Sequence, residues 1–370
     1  MSDGLPKWAD TIVIPILNLT LAFLVAGLVI AAIGEDPVKA LGVMVNGAFG
    51  DQRSLGYTLY YTTNFIFTGL AVAVAFKAML FNIGGEGQAY VGGLGATLAG
   101  LALGAFLPGI IVVPVAILTA AAFGAAWAFL PGYLQAYRGS HVVITTIMFN
   151  FIAAGIMVSL LSGPLIAPGQ SSPQSEDLPT SAWLPQMHEV FGAVGIEIAS
   201  SPLNLSFVIA LVACVGVWVL IWRTKFGYSL RAMGESEPAA VYAGVPVKRM
   251  TVIVMAISGG LAGMMAINDI LGVQHKLILN FTAGYGFTGI AVALIGRNHP
   301  VGIILASLLF GALYQGGTEL DFEFNTISRE MVLVIQGLII LFSGALAYMF
   351  NPVLTRLFTP VRAARTGPSV

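Results

Sequence analysis

Charge is what this chain has least of. Of its 370 residues only 16 are Lys or Arg and 17 are Asp or Glu, and the net charge of -1 offers nothing for nucleic acid or an anionic surface to hold. Cysteine is nearly absent. The lone Cys214 excludes an intrachain disulfide and, in an apolar run that ends at Trp222, reads as a small core residue. Catalytic signatures are missing as well: neither H-E-x-x-H nor G-x-S-x-G occurs, which argues against an intramembrane enzyme. No G-x-x-x-x-G-K-[ST] phosphate loop occurs, so any nucleotide chemistry must come from another chain. His141 and His299 have no second His or Cys at metal-ligand spacing, and no metal site is expected. What fills the chain is apolar. With 57% hydrophobic residues and a mean hydropathy of +0.90, it reads as an all-α polytopic membrane protein.

A ruler of roughly 20 apolar residues per crossing gives about ten transmembrane helices. They fall near residues 11–33, 57–77, 84–104, 109–131, 142–162, 204–222, 251–272, 283–296, 300–317 and 331–350. The first runs straight into Glu35-Asp36 without a cleavage site and is expected to be retained. Orientation follows from Lys and Arg, which favour the cytoplasmic side. Residues 163–203 hold neither and form an outer, proline-broken loop; residues 223–250 hold Arg223, Lys225, Arg231, Lys248 and Arg249. The tail carries Arg356, Arg362 and Arg365, so both termini are expected inside, with Lys77, Arg138 and Arg297 at inner turns and Lys276 as an outer exception. Trp183 and the stretch Met187 to Ile198 of the outer loop are expected to rest on the membrane surface or to meet an outside partner.

Residues 67–74, Phe-Thr-Gly-Leu-Ala-Val-Ala-Val, echo residues 287–294, Phe-Thr-Gly-Ile-Ala-Val-Ala-Leu, and Lys77 and Arg297 each follow three positions later. This predicts an internal parallel repeat, a common way to build a transporter. The spacings Gly100-xxx-Gly104 and Gly259-xxx-Gly263 predict seams where helix backbones come close.

Two segments depart from plain membrane sequence. Phe81-Asn82-Ile83-Gly84-Gly85-Glu86-Gly87-Gln88 sets amides, an acid and glycines inside apolar sequence. Irregular backbone at that depth must be enclosed by protein or line a water-filled cavity, and a half-helix start there offers amide donors to a solute. Candidate path residues are Phe81, Asn82, Gly85, Glu86, Gln88 and Phe287, with Tyr90 as a further stacking face. Thr146 and Asn150, spaced i, i+4 on the fifth span, either join them or bond between helices. Glu86 either caps neighbouring amides or lines the path. The second segment, Thr224 to Pro246, predicts a short helix: Ser236 or Glu237 as cap, Pro238 first, Ala239 to Ala243 within, Gly244 and Pro246 as stop. Too short to stand alone in water, it suits a groove on a partner.

FNIGGEGQ at 81–88, SLRAMGESEPAAVYAG at 229–244 and GIAVALIGRNHPVG at 289–302 resemble the branched-chain amino acid, sugar and nucleoside permease family of ATP-binding-cassette importers, over nearly the whole chain. The phrasing is most similar to permeases for nucleosides, of the guanosine-uptake kind, and for simple sugars. The resemblance implies one permease domain, residues 1–370, in a bacterial inner membrane. Residues 163–203 would be a periplasmic loop and 223–250 a cytoplasmic coupling loop. Its implied partners are a second permease, a double-cassette ATPase that uses ATP and Mg, and an outside binding protein. The chain itself would hold no cofactor and carry out no catalysis. Gly234, Glu235, Pro238, Ala239, Ala240 and Gly244 match the family's ATPase-docking loop, which Arg231 precedes. A nucleoside is the expected solute and a simple sugar such as ribose or galactose the alternative. A secondary transporter would share the broken helix but needs no partner-fitted loop, and a purely structural subunit would not depend on Asn82, Glu86 or Gln88.

Overall fold

The computed structural model describes residues 14–345 apart from Asn325 and Ser328. The three tail arginines and the outermost ends of the first and last expected spans lie outside the described residues. Among the described residues every named element is helical; strand geometry is limited to isolated bridges such as Gln174 with Ile278.

The chain divides into two units, residues 1–43 with 317–370, and residues 44–316. In the first, α1 (Ile14–Ile33) packs on α14 (Arg329–Ala345), and Lys39 lies over the Phe324 ring. The Asp36 carboxylate accepts from the Val38 amide at 2.8 Å and opens α2 (Pro37–Phe49), which lies between the first two expected spans.

The second unit is built around α3 (Gln52–Phe76), which is buried nearly all round. Asp51 caps it by accepting from the Ser54 amide at 2.7 Å. Against it pack α11 (Val247–Ala266) and α12 (Tyr285–Ile295), while α4 (Gly85–Leu103), α5 (Gly109–Arg138) and α11 form a block of their own. The block is closed through glycine: a Cβ on Gly92 would stand 2.5 Å from the Gly263 Cα, and one on Gly124 would stand 2.9 Å from the same atom. This is the predicted seam at Gly259-xxx-Gly263. Gly100 and Gly104 lie instead against Leu178 and Pro179 of the outer loop.

Among the described residues six helices are long and apolar enough to cross a membrane, or seven if the bent pair Thr20–Ile33 and Pro37–Phe49 counts as one crossing. They include α3, α5, α6 (Val142–Leu161), α8 (Ser206–Arg223), α11 with its extension, and α13 (Pro300–Glu323). The chain is therefore a multi-pass membrane protein. The expected third and eighth spans correspond to α4 and α12, which do not meet that criterion. With 11 residues α12 extends roughly 16 Å, about half of a hydrocarbon core. α5 continues through Pro131, the expected end, to Arg138. α11 passes into a π-helical stretch, Ile267–Gln274. There Asn268 donates to Asn64 and Tyr60 and accepts from Asn204 and Ser206, and the Tyr60 hydroxyl donates to Asp269.

The two echoing segments touch. Gly69 of α3 faces Val292 of α12, and Gly289 of α12 faces Thr68. Both helices end in a left-handed turn, at Met79 and at Arg297-Asn298, tied by Leu80 N–H to Ala75 and by Asn298 N–H to Ala293. A new helix follows each turn. Lys276 pairs with Asp177 at 3.4 Å, Lys77 and His299 both lie on Trp222, and Lys248 lies over Tyr137.

Candidate functional site

The chain breaks between α3 and α4, and the side chains of Asn82, Glu86 and Gln88 in the break are all hydrogen-bonded. Asn82 and Gln88, both 1% exposed, face each other: Asn82 donates to Gln88 at 2.9 Å and accepts from its amide at 3.0 Å. Asn82 also donates to Ser258 of α11, whose hydroxyl donates to the Ala71 carbonyl, and it accepts from the Gly84 amide. The other side is held by α6. Thr146 accepts from the Ile83 N–H at 3.3 Å, and Asn150 donates to the Ile83 carbonyl and accepts from the Gly87 N–H, both at 2.9 Å. The i, i+4 spacing on α6 thus grips both ends of the break.

Glu86, in the first turn of α4, bridges to α12. One carboxylate oxygen accepts from Gly284 N–H at 2.9 Å and the other from Gly286 N–H at 2.8 Å. Gly284, at φ 80°, is the N-cap of α12, so the carboxylate lies between the amino ends of two helices, where their unpaired amides and dipoles favour an anion. Gly85 and Gly286 meet backbone to backbone, which brings α4 and α12 together.

A cavity of about 380 Å³ opens beside this junction. Glu86, Tyr90, Asn150 and Phe287 line it, together with Ile147, Phe151 and Ala154 of α6 and with Asn280, Thr282, Ala283 and Gly284. The Tyr90 hydroxyl donates to the Asn280 side-chain carbonyl at 2.8 Å, and its ring packs on Phe281. Among the described residues no Lys, Arg or His is in the lining. Of the residues expected on the path, the structure brings Glu86, Asn150 and Phe287 to the cavity. Gly85, Asn82, Gln88 and Thr146 lie behind it as its support, and Phe81 packs edge-on against Phe76. The sequence reading missed Asn280, Thr282 and Phe151; the polar run before Gly284 was the one available signal for the first two.

After α8, Thr224 caps α9 (Lys225–Glu235) by accepting from Gly227 N–H at 3.0 Å. Ser236 caps α10 (Glu237–Tyr242), with Pro238 in its first turn and Gly244 at φ 80° after it, as the sequence predicts. Gly234 abuts Lys77, and Arg231 donates to the Ile221 carbonyl. Ala240 is buried, while Val241 is 57% exposed and Tyr242 97%. Burial, then Arg231, holds the Lys77 ammonium below the ordinary lysine value.

The branched-chain amino acid transport system / permease component family matches residues 54–344. The chain belongs to that family. It is 34% identical over 339 residues to the guanosine ABC transporter permease protein of Bacillus subtilis, covering 91% of this chain and 94% of the relative. It is 33% identical over 329 residues to the glucose ABC transporter permease protein of Haloferax volcanii, covering 89% and 86%. A nucleoside ABC transporter permease protein of Lactococcus lactis matches at 30% over 340 residues, 90% of each chain. No solved structure matches.

Proposed function

We propose that this permease is the membrane subunit of an ATP-driven importer for nucleosides, working by alternating access. The observation that carries the solute class is the way the cavity's polar groups are spent. Glu86 gives both oxygens to backbone amides, and Asn150 gives its amide to Ile83 and Gly87. What remains is the faces of Tyr90, Phe151 and Phe287, the amide of Asn280 and the hydroxyl of Thr282, which suit a planar base with a few polar edges. A solute with hydroxyls on every side would leave several of them unpaired there. The absence of a basic lining residue fits a neutral solute. The similarity to a glucose permease keeps a simple sugar as the second reading.

The partners follow from the family and from exposed surface. Asn280, Ala283 and Phe287 open outward beside irregular backbone, which lipid cannot satisfy. A second permease covers that face in this reading; the Bacillus subtilis relative is one of two guanosine ABC transporter permease proteins to which the chain is similar. α9 and α10 dock a separate ATPase that uses ATP and Mg, and a binding protein delivers the solute from outside. The inner membrane and cytoplasmic termini belong to the same reading. The contact of α3 with α12 and their matching left-handed ends support an internal repeat.

The test is uptake of radiolabelled guanosine, uridine and ribose by cells with the full importer and by cells lacking this chain. Loss of nucleoside uptake alone is expected. Loss of ribose uptake alone moves the assignment to a sugar.

A further inference from the structure

We propose that α9 and α10 act on the cavity through the turn Lys77–Leu80, with Gly234 as the positioning residue that seats α9 on that turn. The inference rests on the reading of α9–α10 as the ATPase-docking element.

The contact at Gly234 is with backbone. A Cβ there would fall on the Lys77 carbonyl and 3.1 Å from its carbon, with the Ala78 Cα at 3.5 Å, and none of these atoms can swing aside. The other end of α9 is equally tight, since Gly227 lies against the carbonyls of Leu220 and Ile221, and Arg231 donates to Ile221. α9 is therefore a short strut fixed between the end of α8 and the end of α3. Trp222, at the end of α8, adds a second hold: Lys77 Nζ lies 5.6 Å from its ring centre and the His299 ring 5.0 Å.

The turn has no slack to absorb a push. Ala78, Met79 and Leu80 each donate back to α3, at 2.9–3.0 Å, and Met79 sits at φ 56°. Beyond Leu80 the chain is bonded at Asn82, Ile83, Gly84, Glu86, Gly87 and Gln88. Moving the turn therefore moves Glu86, and through its two amide bonds it moves Gly284 and the start of α12, which borders the cavity. Coupling by such a chain requires a shared displacement rather than mere proximity, so displacement is what must be measured.

The experiment replaces Met79, 69% exposed on the turn, by cysteine in a Cys214→Ser background, in the complex with its second permease, ATPase and binding protein. The N-ethylmaleimide labelling rate at position 79 is read without nucleotide and after trapping with ATP, Mg and vanadate. A several-fold change is expected. Gly234→Ala removes that change and the uptake while vanadate trapping persists; Gly216→Ala, facing open space on α8, changes neither. An unchanged rate at position 79 with Gly234 intact overturns the inference, as does the same change with Gly234→Ala. If Gly234→Ala does not assemble, labelling with Gly234 intact still decides. Tyr242→Cys separates the two readings: protection there by the ATPase, with position 79 silent, sinks only the relay, whereas no protection sinks the docking reading itself.

Discussion

Asn150 holds Ile83 and Gly87 from a helix more than sixty residues along the chain, and that reach explains both its importance and its partial legibility. The i, i+4 pair Thr146 and Asn150 was visible in the sequence, but its partners were not, because local spacing carries no information about which distant backbone is left unpaired. Asn150→Ala strands one buried carbonyl and one buried amide, at a cost on the order of 1–3 kcal/mol for each group. A lower thermal midpoint in detergent and lost uptake are expected; an unchanged midpoint would show that the break holds itself. Glu86 is the sharper case. Glu86→Gln keeps the shape but offers one acceptor where Gly284 and Gly286 need two, and it removes the charge from two helix starts. Uptake falls at least several-fold while the amount of membrane protein stays constant. Wild-type uptake in this variant would remove Glu86 from the mechanism.

α10 was legible as a helix because its signals are local: a serine cap, a proline in the first turn and a glycine stop. Ser236→Ala weakens it by about 1 kcal/mol, and Gly244→Val forces a branched side chain to φ 80° at a cost on the order of 1–3 kcal/mol. Both variants should still assemble but import less solute per ATP hydrolysed; an unaltered ratio in both would sink the docking assignment. α9 escaped the reading because its apolar positions are few and its seat depends on packing of Gly234 on the distant Lys77 carbonyl. α5 ran past Pro131 because burial outweighs one missing donor. The outer loop carries a pH dependence. His275 stacks on Trp183 with ring centres 3.8 Å apart, and burial holds its imidazole below the ordinary value of 6.5 despite Asp177 and Glu189. The unfolded loop then binds more protons than the packed one, so packing is complete above about pH 6.5 and weakens as pH falls toward the depressed value. Proteolysis of residues 163–203 should quicken over that window, and His275→Gln should flatten the dependence.

At the scale of the whole molecule, composition foretold a multi-pass helical protein, and the family resemblance was carried by three short motifs. Counting crossings by hydropathy worked where a helix faces lipid, as α5, α6 and α8 do. It worked less well for α4, whose surroundings are mostly protein and whose sequence need not satisfy a hydrocarbon solvent, and for α12, which is apolar but only 11 residues long. If a second permease covers the face around Asn280 and Phe287, this chain expressed alone should be degraded or inactive and regain both abundance and uptake with that partner. Full activity alone would place the path within one chain. The occupied carboxylate and amide of Glu86 and Asn150 have one more consequence, for time rather than for shape. A hollow whose strongest groups already belong to its own walls detains a guest only briefly. In the proposed importer the work of catching a scarce solute then falls to the protein outside, while this chain is built to let go: binding to the isolated permease should be undetectable at solute concentrations that saturate import.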